Sequence, residues 1–240
     1  MKRSAIEPRS RVCARICASA ALVLVSACPA AGSSIQYLIT VDTISVNHNS
    51  GFVDFQFNPG DNNPQLAFAT ISNFKAGGGV LVVDPTPFPN PNTNPPHFTS
   101  PQLTGDVSGD LLTGPLAFTN GTALNDFFQQ FTYGSFFSFV LSLTGPALDV
   151  PNGTATLGST FGVSLLDPLG VAILTNQING TGFAASVDVN LNGSTTVHAF
   201  PSNDLGAPSV VTFQEVPEPG SISLLGFGAA GLLVLRKILR

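Results

Sequence analysis

Residues 52–60, Phe52-Val53-Asp54-Phe55-Gln56-Phe57-Asn58-Pro59-Gly60, give the clearest indication of fold in this 240-residue chain. Apolar and polar side chains alternate from Val53 to Phe57. Successive side chains of a β-strand point to opposite faces of its sheet, so this period of two predicts a strand with one apolar face. The Asn-Pro-Gly sequence that follows predicts a turn that ends the strand.

The same alternation recurs on both sides of this stretch and predicts about a dozen short strands. Beyond residues 52–57, it predicts strands at 37–41, 66–74, 80–83, 105–112, 116–119, 137–143, 161–166, 171–175, 184–191, 195–200 and 210–213. Short strands with regular turn signals are typical of an antiparallel β-sandwich. The predicted fold class is therefore all-β, with a jelly-roll-like sandwich ectodomain, and a closed barrel is the alternative.

Three segments carry other signals. The phenylalanines of residues 125–134 fit a helical face as well as a strand, and we favour a strand. Residues 84–101 contain seven prolines and predict a surface loop, because proline cannot pair inside a sheet. Asn120-Gly121 follows a predicted strand and indicates a hairpin turn.

The N-terminal 32 residues read as a secretory signal peptide. Five basic residues precede a ten-residue apolar run, and Ala30-Ala31-Gly32 offers small residues for cleavage. An alternative is that Val25-Ser26-Ala27-Cys28 is a lipobox with Cys28 as the lipidated first residue. All three cysteines, Cys13, Cys17 and Cys28, lie in this segment. Residues 33–215 therefore have no disulfide, thiol nucleophile or cysteine metal site.

The predicted ectodomain, residues 33–215, is strongly acidic. Lys75 is its only lysine or arginine, and it stands against eleven aspartates and Glu215. Eleven Asp and one Glu less one Lys give a net charge of −11, compared with −5 for the whole chain. Because phosphate binding needs lysine and arginine, this charge argues against nucleic acid as a partner.

The C-terminal 25 residues have three parts: a rigid tetrapeptide, an apolar run and a basic end. The tetrapeptide is Val216, Pro217, Glu218 and Pro219, and both prolines bias it toward an extended backbone. Residues 220–235 carry no charge and would form a helix of roughly 24 Å, slightly short of a hydrocarbon core of about 30 Å. The basic residues that follow are a membrane stop that stays cytoplasmic: Arg236, Lys237 and Arg240. A buried C-terminal helix of a soluble domain is the alternative.

This order of motif, helix and basic end resembles the PEP-CTERM sorting signal of Gram-negative bacteria. Gly220 is one departure, since the family more often has a small hydroxyl residue or alanine there. The resemblance implies processing by an exosortase, a membrane protease-transpeptidase, and an association with exopolysaccharide and biofilm. It implies export to the cell surface or extracellular matrix, with transient anchoring in the inner membrane. The expected domains are a signal peptide at 1–32, the ectodomain at 33–215 and the sorting signal at 216–240.

No catalytic or metal-binding constellation emerges from the sequence, and no cofactor is expected. The three histidines, His48, His97 and His198, are too far apart in the chain for a local metal motif. Asp106 and Asp110 stand near glycines and suit calcium, but solvated turn carboxylates are the preferred interpretation. Asn120, Asn152, Asn179 and Asn192 each begin an Asn-Gly-Thr or Asn-Gly-Ser triplet, which we interpret as tight turns rather than glycan acceptors.

Three functions therefore compete. The first is a non-enzymatic surface or matrix protein, which we expect because no motif for catalysis is present. The second is a carbohydrate-binding module that acts on exopolysaccharide. The third is a hydrolase whose site the sequence does not reveal, since no spacing selects a pair of aspartates.

Overall fold

The computed structural model describes residues 33–88, 98–151, 155–176 and 182–217. The described chain is almost entirely β-structure, with one 3₁₀ turn (Ile44–Val46) and one short helix, α1 (Pro146–Asp149). The strands are β1 (Ile35–Asp42), β2 (Ser50–Pro59), β3 (Phe68–Lys75), β4 (Val80–Leu81), β5 (Asp84–Phe88), β6 (Phe98–Ser100), β7 (Gln102–Thr104), β8 (Val107–Ser108), β9 (Leu116–Thr119), β10 (Asp126–Thr132), β11 (Phe136–Thr144), β12 (Ser159–Leu166), β13 (Ala172–Ile173), β14 (Ala185–Val189), β15 (Thr195–Ala199) and β16 (Val211–Glu215).

Two antiparallel sheets contain most of these strands. The six-stranded sheet has the order β16-β1-β11-β3-β9-β8. The eight-stranded sheet has the order β15-β14-β12-β2-β10-β4, with β13 paired to β12 and β7 paired to β10. The predictions of an all-β chain and of antiparallel pairing are confirmed.

The two sheets share one hydrophobic core, which is rich in phenylalanine. Phe55 of the eight-stranded sheet meets Phe139 of the six-stranded sheet edge to face, with ring centroids 5.1 Å apart. Phe161 contacts Phe118 and Phe139 across the same layer. Each fully buried side chain of this size stabilises the fold by about 2–3 kcal/mol relative to an exposed one. The alternation in residues 53–57 therefore does what the sequence predicts, because Val53, Phe55 and Phe57 all face the core.

Strand β10 confirms the strand predicted within residues 125–134, and its partner β2 is the strand of the opening stretch. The hairpin predicted at Asn120-Gly121 is wrong, because β9 and β10 belong to different sheets. Asn120 instead turns inward, where its amide ties the crossing segment to other parts of the fold.

The proline-rich segment also differs from its prediction. Residues 84–88 and 98–100 form a two-stranded ribbon, β5 with β6, while residues 89–97 lie outside the described part. The ribbon forms a sheet of its own and joins the ladder of neither large sheet, so its prolines interrupt no sheet interior.

The predicted C-terminal helix at 220–235 lies outside the described residues. Within the described ranges, none of the helices has the length and apolar character needed to cross a membrane.

Candidate functional site

The sorting tetrapeptide begins where strand β16 leaves the six-stranded sheet. Strand β16 pairs with β1 over five residues, from Val41 opposite Val211 to Tyr37 opposite Glu215. One more backbone bond follows, in which the Val216 N–H donates to the Gln36 carbonyl at 2.9 Å. Pro217 comes next and has no N–H, so the ladder cannot continue past it. The tetrapeptide therefore starts directly at a sheet edge, without a linker.

Apolar contacts on one face hold β16 in place. Val211 is buried in the core, and Phe213 packs against the core with its ring 6.2 Å from that of Tyr37. On the opposite face Thr212 and Gln214 are exposed. The strand thus alternates as the sequence predicts, but with only two apolar side chains to anchor it.

The other residues predicted for the sorting signal lie outside the described part of the chain. They are Glu218, Pro219, Arg236, Lys237 and Arg240. Val216 and Pro217 are the members of that set that the structure places, and it places them at the sheet edge.

A pair of carboxyl groups, which the sequence analysis missed, lies on the outer face of the eight-stranded sheet. The side chains of Asp54 of β2 and Asp126 of β10 lie close enough to influence each other's pKa. Asp54 is only 7% exposed, although its side chain points away from the core. The register of β2 and β10 produces the pair, because it sets Asp126 opposite Gln56, one outward position along from Asp54. The position of Asp54 among outward-facing residues was visible in the sequence, but its partner was not.

Burial and proximity raise the pKa of both carboxyl groups. For Asp54 the pKa is raised well above its usual value, first by burial and then by the hydrogen bond and charge of Asp126. Burial also raises the pKa of Asp126, and the hydrogen bond from Asp54 partly offsets this. Two carboxyl groups hydrogen-bond to each other only if one of them carries a proton, and the raised pKa of Asp54 favours a pair that holds one proton. Such a pair can store or transfer a proton.

A line of amide side chains leads from this pair along β2, because every second residue of a strand shares a face. The Gln56 amide donates to Asp54 Oδ2 at 2.8 Å, and the Asn58 amide donates to Gln56 Oε1 at 3.0 Å. The backbone N–H of Asn125 then donates to Asn58 Oδ1 at 2.7 Å. Even so, Oδ1 of Asp54 and Oδ1 of Asp126 are buried without a hydrogen-bond partner among the described residues.

Aromatic rings help to cover this outer face. Phe52 stacks on Phe128 with ring centroids 4.5 Å apart. The ring of Phe183 lies directly on the backbone of Gly162, where a Cβ atom would come within 2.4 Å of it. The surface also has two open grooves, of about 350 and 400 Å³, and neither is lined by Asp54 or Asp126. Phe128 stands opposite Asp54 in the register of β2 and β10, which places the stacked pair of Phe52 and Phe128 beside the buried carboxyl group.

The structure separates the two histidines that it describes. His48 lies in the connection between β1 and β2 and lines the groove of about 400 Å³. His198 lies on β15, where its Nε2 is 3.0 Å from Asp188 Oδ2. His97 is outside the described ranges. Among the described residues, no group of three or more histidine, cysteine or acidic side chains is placed to hold a metal ion.

Asp106 and Asp110, the candidate calcium ligands, both lie in a turn region. The Asp110 carboxylate accepts hydrogen bonds from the backbone of Leu112 and from the backbone and hydroxyl of Thr113. These bonds lower the pKa of Asp110. This carboxylate therefore stabilises its own turn, as the preferred interpretation predicts.

Two of the four Asn-Gly triplets are described. Asn120 is fully buried, which is incompatible with a glycan on its amide. Asn192 accepts hydrogen bonds from the backbone and hydroxyl of Ser194 and so forms a tight turn. Asn152 and Asn179 lie outside the described ranges.

Comparison with known families identifies a sorting motif near the C-terminus. The family model of the PEP-CTERM protein-sorting motif matches residues 215–237. The matched range contains the tetrapeptide and the first two residues of the basic end, Arg236 and Lys237, whereas Arg240 lies beyond it. No curated protein and no solved structure matches the chain. The motif supports an exported protein that is anchored transiently in the membrane and sorted by an exosortase.

Proposed function

We propose that this chain is a non-enzymatic protein of the bacterial surface or extracellular matrix, which an exosortase processes after export. The observation that carries the proposal is the match of the sorting-motif model to residues 215–237, which begins at the last residue of β16. A role in exopolysaccharide or biofilm follows from the family resemblance.

The proposed organisation has three parts. Residues 1–32 direct export, residues 33–215 form a jelly-roll-like β-sandwich, and residues 216–240 are the sorting signal. The shared core of the two sheets supports the sandwich. The net charge of −11 in residues 33–215 supports a protein that stays dispersed outside the cell, since like charges keep molecules apart.

Within the signal, each part has a separate task. Pro217, Glu218 and Pro219 present an extended backbone and one carboxylate to the processing enzyme. The apolar run spans the inner membrane before processing. Arg236, Lys237 and Arg240 keep the end of the chain cytoplasmic and so fix the height of the motif above the bilayer.

Fractionation of a bacterium that produces the protein tests this proposal. Deleting residues 216–240 should release the ectodomain into the medium. Glu218→Ala should leave export intact while the form with the full tail accumulates in the membrane. Glu215→Ala is the matched control, because Glu215 is an exposed carboxylate that precedes the tetrapeptide and belongs to β16.

Immunoblots of membrane, surface and medium fractions, with mass spectrometry of the C-terminal peptide, give the readout. Acidic substitutions at Arg236, Lys237 and Arg240 should disturb topology instead of processing. The proposal fails if wild-type protein on the mature surface keeps its tail and Glu218→Ala fractionates in the same way.

A carbohydrate-binding module is the second candidate, and two exposed aromatic rings favour it. Phe68 and Phe136 are 36% and 40% exposed, and both lie on the face of the six-stranded sheet opposite the core. Exposed aromatic rings are a means by which proteins contact the apolar faces of ligands. A glycan array with and without calcium, repeated with Phe68→Ala and Phe136→Ala, tests this function. Loss of a signal in either variant would favour binding, and an array without signal would reject it.

A further inference from the structure

Few residues of the sequence separate the folded sheet from the predicted membrane helix. The last backbone hydrogen bond of the sheet joins Val216 to Gln36, at 2.9 Å. The sequence predicts that the helix begins at Gly220 or Ser221. Pro217, Glu218 and Pro219 are then the link, and three extended residues reach about 10 Å.

This link leaves little room for an enzyme around the motif. Sites that bind an extended chain are concave and enclose most of the ligand surface. The mid-planes of two stacked sheets are themselves about 10 Å apart, so the folded domain is thicker than the link is long. In addition, Val216 already uses its N–H in the sheet. With β16 in place, an enzyme cannot enclose both sides of the tetrapeptide.

Strand β16 has the properties of a strand that can detach. It lies at the edge of the six-stranded sheet, and β1 is its ladder partner within the described residues. Three of its five residues, Thr212, Gln214 and Glu215, are exposed. By contrast, the nine-residue strand β11 pairs with neighbours on both sides. Local opening occurs first where few apolar contacts and exposed backbone bonds hold a segment.

We propose that β16 separates from β1 before the exosortase acts, so that the residues of the strand lengthen the link between the folded domain and the sorting signal. Release of residues 211–216 adds about 20 Å of reach to the link. The enzyme then binds only molecules in the open state and draws the equilibrium toward it. This inference rests on the proposed function, because it concerns the access of the same enzyme to the same motif.

A cross-strand disulfide tests the inference in the full chain. Leu38 of β1 stands opposite Gln214 of β16, and paired residues of antiparallel strands are about 5.5 Å apart, within the range of a disulfide. Residues 33–240 contain no cysteine, so Leu38→Cys with Gln214→Cys introduces one defined bond, which forms in an oxidising compartment. Each single variant is the matched control.

We expect the oxidised double variant to be exported and to keep its tail, with processing at least about tenfold slower than in wild type. The reason is that the disulfide prevents the open state to which the exosortase would bind. Dithiothreitol should restore processing. A six-residue Gly/Ser spacer inserted between Glu215 and Val216 should also restore it with the disulfide intact. The spacer alone, without cysteines, should accelerate processing of the wild-type chain.

Five results separate the interpretations. Processing of the oxidised variant at the wild-type rate overturns the inference, and so does a spacer that rescues nothing. If the double variant fails to fold, the spacer in the wild-type chain decides, and unchanged processing there overturns the inference. If wild type itself is never processed, the proposed function fails. A further result is that wild type is processed and Glu218→Ala is not, while the oxidised double variant is processed. In that case the inference is wrong and the proposed function stands.

Discussion

Asn120 and Asp54 are both buried polar residues, but they differ in how completely their side chains are hydrogen-bonded. Asn120 Oδ1 accepts the Ala67 N–H at 2.9 Å, and its amide donates to the Gln65 carbonyl and the Ser159 hydroxyl, both at 2.7 Å. Burial and the neighbouring Asp126 raise the pKa of Asp54, and its Oδ1 is buried without a hydrogen-bond partner among the described residues.

The difference shows that burial alone does not decide what a polar residue contributes. A buried amide with all its partners links the two sheets at little cost, because each hydrogen bond to water has been replaced. A buried carboxyl pair is stable only while one proton remains between the two groups. The first site is therefore structural at any pH, and the stability of the second changes with pH.

The largest effect should follow from removing the satisfied amide. Asn120→Ala removes three buried side-chain hydrogen bonds, to the Ala67 N–H, the Gln65 carbonyl and the Ser159 hydroxyl, and we expect the free energy of unfolding to fall by about 3 kcal/mol. Urea unfolding of purified residues 33–215, followed by circular dichroism, measures it. The unmodified fragment should be soluble and β-rich with cooperative unfolding, and a helical spectrum would reject the sandwich.

Asn192→Ala is the matched control, because Asn192 also begins an Asn-Gly triplet but stands in an exposed turn. The free energy of unfolding of Asn192→Ala should differ from that of the unmodified fragment by no more than about 0.5 kcal/mol. Equal losses in the two variants would show that the inward bonds of Asn120 contribute nothing.

The second prediction concerns the carboxyl pair and pH. The folded pKa of Asp54 is raised, so its contribution to stability is complete below the unfolded pKa of about 4 and is lost as pH rises toward the folded pKa. Uptake of one proton gives a slope of up to about 1.4 kcal/mol per pH unit. Asp54→Asn removes the titrating group and should remove most of that slope.

Urea unfolding at several pH values above 4 measures this slope. Asp126→Asn should flatten it as well, because either substitution ends proton sharing. If the wild-type and Asp54→Asn slopes agree, the two carboxyl groups titrate normally and the proposed sharing is wrong.

The smallest effect should appear at Asp61, an exposed carboxylate that serves as the contrast. Its oxygens accept hydrogen bonds from the backbone of Asn63 and from the backbone and hydroxyl of Thr156, and these lower its pKa. Its contribution is present above the unfolded pKa and is lost as pH falls through the folded pKa. Asp61→Asn should therefore reduce only the loss of stability below about pH 4.

Acid titration of the same fragment by circular dichroism checks this, with Asp54→Asn as the comparison. The two substitutions should act on opposite sides of pH 4. A change at Asp61 that appeared above neutral pH would contradict the assignment.

The sequence alone predicted much of the fold, for a physical reason. A period of two is a local property, and it determines which side chains of a strand face the core before any partner is known. Val53, Phe55 and Phe57 were therefore assigned correctly to the buried face. The sorting signal is also local, since its motif, helix and basic end follow one another in the chain, and the matched range at 215–237 agrees with it.

Only the tertiary structure decided which strands are neighbours and in what register. The alternation of β2 and of β10 is the same in any pairing, so neither pattern brings Asp54 to Asp126. The inward turn of Asn120 likewise depends on a crossing between sheets, whereas Asn-Gly by itself indicates a hairpin. The position of the tetrapeptide next to β16 depends on the pairing of β16 with β1. The hydrogen bond from the Val216 N–H to the Gln36 carbonyl joins backbone atoms, so neither side chain predicts it.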